Sequence, residues 1–121
     1  MELKLNIYNE LDEVMKEYTR QSYSIRMRQL KQIIETFELD KLAELLTTKG
    51  TESNAKLIEI VSRFVMRSYG QVQELMKDVF PGLTDEEYLD THVDEVVRVV
   101  IDLGKYSIAT IGLIGGGNSK N

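Results

Sequence analysis

The sequence predicts a mainly α-helical fold, a small domain of four or more helices with an N-terminal β-hairpin. Three observations predict this fold class. Apolar and polar residues alternate over the first eight positions, as in a half-buried strand. From Met27 onwards the apolar spacing changes to three and four residues, the period of an amphipathic helix. Glycine and proline then interrupt this pattern and divide it into separate helices.

The first segment predicts the two strands of the hairpin. Leu3, Leu5 and Ile7 share one face of the first strand. After a short polar break, a weaker alternation predicts an antiparallel return strand within Val14–Ile25. A short helix over Leu11–Thr19 is the alternative, because glutamate, methionine and lysine favour helices. The sequence leaves the register of the hairpin open.

Four further segments carry apolar residues at every third or fourth position, as the buried faces of helices do. These segments are Met27–Phe37, Leu39–Leu46, Leu57–Val65 and Val72–Phe80. Lys49-Gly50 ends the second helix, and Thr51 or Ser53 can cap the third. A small break at Ser68–Gly70 separates the third helix from the fourth. Pro81-Gly82 ends the fourth, because proline lacks the N–H that would continue it.

The sharpest helix start is the capping box Thr84-Asp85-Glu86-Glu87, with Leu83 and Tyr88 at the two staple positions. Asp90 or Thr91 is then expected to cap a long final helix from about His92. Gly112 and the glycines at 115–117 are expected to end it. The predicted organisation is one domain over residues 1–114 and a flexible glycine-rich tail over residues 115–121.

The final helix has an apolar arc much wider than the roughly 100° that one core contact requires. Such a helix is either central in its own fold or buries a second face against another chain. The main stripe of the helix around Leu57–Tyr69 consists of Leu57, Ile58, Val61, Phe64 and Val65. This helix has the same excess, with Ile60 and Met66 outside that stripe. Two such helices favour self-association or binding of a client protein. The side chains expected to contact a partner are Val96, Val99, Leu103 and Tyr106. Of these, Val99 and Tyr106 are the first candidates for the exposed part of the arc, with Leu103 beside them.

Composition excludes several functional classes. The chain has 121 residues with 20 acidic and 15 basic side chains, a net charge of −5, and no basic block, so we expect no nucleic-acid partner. The absence of cysteine excludes disulfides, thiolate nucleophiles and Fe–S clusters. No apolar run reaches the ~18 residues of a membrane span, and the N-terminus is too polar for a signal peptide. We expect a soluble intracellular protein that contacts no membrane.

The sequence shows no catalytic or cofactor-binding motif. His92, the single histidine, lies among acidic residues, so a cation site or a His–carboxylate pair is one interpretation. The other interpretation is structural, because acids in the first turn of a helix complement its dipole. Arg20, Arg26, Arg28 and Lys31 form a small basic cluster, interpreted as a solvated helix start. We therefore expect a non-enzymatic binding module with no metal and no cofactor.

Over nearly its whole length the chain resembles the small tail assembly chaperones of long, non-contractile-tailed bacteriophages. The segments that carry this resemblance are Met1–Tyr8, the tyrosine-containing segment to Tyr23, Phe37–Lys41, Leu75–Phe80, Gly82–Glu87 and the apolar final helix through Lys105-Tyr106. The family has a tight Gly/Lys turn after its first strand, where this chain has Asn9–Glu13.

The resemblance implies a function and partners. Proteins of this family coat the tape measure protein, keep it soluble, and help tail-tube protein to polymerise around it. They act in the host cell cytoplasm and are not expected in the mature virion. Many have a longer product made by ribosomal frameshifting, with which Ser119-Lys120-Asn121 is compatible, because its codons can contain a slippery heptamer. The expected partners are therefore the tape measure protein, the tail-tube protein and further copies of the chain. The alternative class is a small acidic helical regulator or adaptor, such as an antitoxin or anti-repressor.

Overall fold

A two-stranded antiparallel sheet begins the chain, formed by β1 (Glu2–Tyr8) and β2 (Val14–Gln21). Five helices follow in the part of the chain that the structure describes, residues 2–21, 25–36 and 51–111 of a computed structural model. They are α1 (Met27–Thr36), α2 (Thr51–Arg67), α3 (Tyr69–Val79), α4 (Asp85–Leu89) and α5 (Val93–Ile111). The predicted mainly helical fold with an N-terminal hairpin is confirmed. The predicted helix Leu39–Leu46, its end at Lys49-Gly50 and the glycine-rich tail lie outside the described residues.

The hairpin forms as predicted, and the alternative helix over Leu11–Thr19 is wrong. Its register runs from Glu2 opposite Gln21 to Ile7 opposite Lys16, with an irregularity between Ile7 and Tyr8. The apolar face of β1 is buried, whereas most of β2 is exposed. The alternation in β2 is weak because the residues that share the buried face of β1 are Lys16, Tyr18 and Arg20.

The turns between helices α2, α3 and α4 follow local sequence signals with one adjustment. The break between α2 and α3 is confined to Ser68, and Gly70 is already helical. The predicted capping box is present: the Glu87 N–H donates to Thr84 Oγ1 at 3.0 Å, and the Thr84 N–H donates to Glu87 Oε1 at 3.1 Å. Leu83 and Tyr88 are both buried.

The start of α5 corrects one prediction. The carbonyl of His92 accepts hydrogen bonds from the N–H groups of Glu95 and Val96, each at 3.1 Å, so His92 itself precedes the first turn. Neither Asp90 nor Thr91 caps the helix. The Thr91 hydroxyl instead donates to the carbonyl of Tyr88 at 2.7 Å, which closes the end of α4.

Helix α5 lies at the centre of the fold and packs against β1, α1 and α2, while α3 packs against α1 and α2. The core combines one face of β1 with the inward sides of the helices. Its members with at most 1% exposure are Leu3, Leu5, Ile33, Val72, Leu75, Met76, Val79, Phe80 and Leu103. Among the described helices, none has the length and hydrophobicity needed to cross a bilayer.

Candidate binding groove between α2 and α5

The side chains predicted to contact a partner lie mostly in the core. Val96, Val99 and Leu103 are 3%, 2% and 0% exposed, and Tyr106 is half-buried. The expectation that Val99 and Leu103 form an exposed part of the apolar arc is wrong. In this fold, these residues stabilise the domain instead of offering a surface to another chain.

The wide apolar arc of α5 is used within the domain. Its buried residues span roughly 160° of the helix circumference at 100° per residue. Three elements cover this arc, β1, α1 and α2. Even Ser107, 0% exposed, is accommodated, since its hydroxyl donates to the Leu103 carbonyl at 2.8 Å. Of the two alternatives for this helix, the central position is the one observed.

Helix α2 does leave apolar side chains exposed. Ile58 is 52% exposed and Met66 is 60% exposed. Half-buried Ser62 lies between them at four-residue spacing, and exposed Ala55 precedes them on the same side of the helix. We call these four residues the α2 stripe. The exposure of Met66 confirms the predicted excess on this helix, but the assignment of Ile58 to the buried face is wrong.

Three residues of the α2 stripe, Ile58, Ser62 and Met66, form one wall of an open groove against α5. Val93, 52% exposed, and half-buried Ile101 lie on the opposite wall, together with Val97 at the base. The same groove continues past Met66. Because neighbouring depressions share Ser62, Met66 and Val93, they form one continuous surface, which we call the α2–α5 groove.

One end of the α2–α5 groove is an apolar pocket beside Met66 and Val93. Tyr69 and Tyr88 meet edge to face there, with ring centroids 5.3 Å apart, and Leu89 is 66% exposed at its mouth. Burial raises the pKa of Tyr88 to about 12, so its phenol stays neutral. Exposed apolar residues grouped in this way are typical of binding surfaces.

The charged residues around the groove carry both signs. The surrounding cations are Arg63, Arg67, Arg98 and Lys105, and the acids on the α5 side are Asp94 and Asp102. Burial raises the pKa of Asp102, although Lys105 and Arg98 act in the opposite direction. The groove is therefore bordered by cations as well as by acids.

His92 has a structural partner that the sequence did not reveal. Its ring stacks on Tyr8 with centroids 3.6 Å apart, and its Nε2 lies 2.6 Å from Asp12 Oδ1 in the hairpin turn. The hydrogen bond to Asp12 raises the pKa of His92. Glu95 completes this contact, because its carboxylate accepts from the Tyr8 hydroxyl and, at 3.0 Å, from the Asn6 N–H.

The contact around His92 also protects an open sheet edge. The N–H of Tyr8 donates to the carbonyl of Asp90 at 2.9 Å, and the N–H of Asn6 donates to the carboxylate of Glu95. Exposed strand edges promote pairing with other chains. We therefore interpret this cluster as a link that fastens the hairpin to the start of α5.

Arg20 is a second residue whose role only the fold reveals. Its guanidinium donates to the carbonyl of Val79 at 2.9 Å and to Gln29 Oε1 at 3.2 Å. Gln29, 6% exposed, also donates to the carbonyl of Asp78 at 2.9 Å. These bonds satisfy carbonyls at the end of α3, just before Pro81. For Arg20, the interpretation of the basic cluster as a solvated surface is wrong.

In the part of the chain that the structure describes, the remaining polar groups form no recognisable reactive centre. Within residues 2–21, 25–36 and 51–111, no three His, Asp or Glu side chains are grouped so that they could hold a metal ion. The α2–α5 groove is therefore the feature with the clearest capacity to bind another molecule. Comparisons with protein-family models, curated proteins and solved structures find no match for this chain.

Proposed function

We propose that this protein is a non-catalytic tail assembly chaperone of a long-tailed bacteriophage, which binds apolar helical segments of the tape measure protein and keeps them soluble. The observation that carries the proposal is the α2–α5 groove, with Ile58, Met66 and Val93 each more than half exposed. The resemblance described above supplies the identity of the client.

The dimensions and chemistry of the groove suit a helix as occupant. From Ile58 to Met66, the part of the α2 stripe that lines the groove is about 12 Å long, or about two helical turns. An amphipathic helix presents apolar anchors at positions i, i+3, i+4 and i+7, which matches a groove of this length. The mixed charges at the rim, among them Arg63 and Asp94, would face the polar sides of such a helix.

Assembly would then proceed by exchange of partners. Binding through an open groove follows mass action, so tail-tube protein could displace the chaperone as it polymerises on the tape measure protein. The chaperone would act in the host cytoplasm, associate with further copies of itself, and be absent from the virion. A longer frameshifted product would carry the same groove.

Co-expression with the tape measure protein tests the proposal. We expect the wild-type chaperone to increase the soluble fraction of the client and to co-purify with it. Met66→Lys should abolish both effects, because it places a charge in the groove. Ile60→Lys is the matched control: Ile60 is 39% exposed but lies on another side of α2. Circular dichroism of the purified variants should show that both are folded.

Two outcomes would refute this function. The first is a client that stays insoluble with the wild-type chaperone, and the second is a Met66→Lys variant that solubilises it as well as the wild type does. Gene order offers an independent check. A tail-tube gene upstream and a very long gene downstream are expected for the chaperone but not for an antitoxin or anti-repressor.

A further inference from the structure

The α2 stripe is symmetric about Ser62. Ile58 lies four residues before Ser62 and Met66 lies four residues after it. If two copies of α2 cross antiparallel at Ser62, Ile58 of each copy therefore meets Met66 of the other. A two-fold symmetric contact requires a surface that is complementary to itself in this way.

The centre of the stripe allows the two helices to approach closely. Ser62 is small and half-buried, whereas the larger Ile58 and Met66 project on either side of it. Packed helices lie 8–10 Å apart, with the shorter distances where the contact residues are small. A serine at the crossing point between two larger apolar residues meets that requirement.

The charges beside the stripe are also complementary to themselves. Glu59 and Arg63 lie along one edge, both largely exposed, with Arg63 Nη2 2.6 Å from Glu59 Oε2. A two-fold axis at Ser62 places Arg63 of a second copy beside Glu59 of the first, and the reverse. The four charges then alternate in sign, which favours this orientation of the two copies.

We propose that the α2 stripe pairs antiparallel with the same stripe of a second copy, and that this homodimer covers the α2–α5 groove until a client helix displaces the second copy. The regulatory part rests on the function proposed above, whereas the pairing itself does not. A contact of about three helical turns is smaller than the roughly 800 Å² per partner of a standard interface. The dimer is therefore weak and exchangeable, and it shields apolar surface when no client is present.

A single introduced thiol tests the pairing, because the natural chain has no cysteine. At the crossing point, helix axes about 9 Å apart place the two Cα atoms of Ser62→Cys about 4.5 Å apart, within the range of a disulfide. We expect rapid formation of a disulfide-linked dimer under mild oxidation. Ile60→Cys, on another side of α2, is the control. Cross-linking of Ser62→Cys no faster than that of Ile60→Cys would overturn the proposal.

Charge reversal provides a second test that needs no disulfide. Glu59→Arg or Arg63→Glu alone places four like charges at the symmetric contact, so each variant should dimerise at least several-fold more weakly in analytical ultracentrifugation. An equimolar mixture of the two variants restores opposite charges and should form a heterodimer. Equal dimerisation by the wild type and both single variants would contradict the antiparallel arrangement.

The regulatory part is tested with the cross-linked protein. The oxidised Ser62→Cys dimer should bind the client more weakly than the reduced form of the same variant does. Equal client binding by the oxidised and reduced forms would overturn competition for the groove. A wild-type protein that dimerises but binds no tape measure protein refutes the proposed function, while the cross-linking comparison still decides the pairing.

Discussion

Val99 and Val93 provide a direct test of which side of α5 faces the core. The two valines lie six residues apart on the same helix, but Val99 is 2% exposed and Val93 is 52% exposed. Val→Ala removes two methyl groups, worth about 0.8 kcal/mol each when buried. At Val99 the cavity left behind adds to this loss, so we expect the free energy of unfolding to fall by about 2 kcal/mol. Val93 is already half exposed, so Val93→Ala loses only about half of this burial free energy and leaves no cavity. The expected fall in the free energy of unfolding is therefore below about 1 kcal/mol.

Urea denaturation followed by circular dichroism measures this difference. The urea concentration at the midpoint of unfolding should be clearly lower for Val99→Ala than for Val93→Ala. The dependence of the free energy of unfolding on urea concentration should be the same for both variants. Val99→Asp should prevent folding altogether, because an unpaired carboxylate in the core costs several kcal/mol of a total stability of about 5–15 kcal/mol. Val93→Asp should fold and weaken client binding. Equal stability of the two alanine variants would mean that Val99 faces outward, and the central position of α5 would then be wrong.

Three other predictions concern the contacts between elements. Thr84→Ala should lower the free energy of unfolding by about 1 kcal/mol through loss of the capping box, and an unchanged urea midpoint would place the start of α4 elsewhere. Arg20→Leu should cost about 2 kcal/mol, because charged hydrogen bonds to the end of α3 are lost; a loss no larger than that of Arg28→Leu, an exposed control, would contradict this role. The raised pKa of His92 means that its stabilising contact with Asp12 is complete below its unfolded value of 6.5 and is lost as pH rises through the higher folded value. His92→Gln should therefore flatten the dependence of the urea midpoint on pH in that window, and an identical pH profile would exclude this contribution.

Local signals predicted the hairpin and the capping box. Alternation over Leu3, Leu5 and Ile7 identifies a buried strand face, because side chains of a strand point to opposite sides in turn. Thr84 and Glu87 identify a helix start, because the side chain of each accepts a hydrogen bond from the backbone N–H of the other. In the capping box the partners are neighbours in sequence, so the pattern contains the whole interaction, whereas the alternation shows only that one face of the strand is buried.

The candidate site was predicted only in part. The excess of apolar surface on α2 was visible in the sequence, since Met66 falls outside the apolar residues predicted to form the buried face of this helix. Ile58 was assigned to the buried side, but it lies near the edge of the apolar arc, and the sequence pattern there is the same for a residue that faces the core and for one that faces solvent. Which edge of the arc stays open depends on where α5 lies, and no residue of α2 encodes that position by itself.

A strand, amphipathic helices, a helix cap and a helix end at proline depend on neighbouring residues, so they can be predicted from sequence patterns. Which apolar residues remain available to a partner depends instead on how these elements pack together. The wide apolar arc of α5, which includes Val99 and Leu103, is compatible with a central helix and with an interface. The hydrophobic effect depends on the apolar area removed from water and not on which element or chain covers it. Packing of β1, α1 and α2 around α5 consumes that arc and leaves the α2 stripe uncovered. The contacts of His92 with Asp12 and of Arg20 with Val79 likewise join residues far apart in sequence, which only the folded chain brings together.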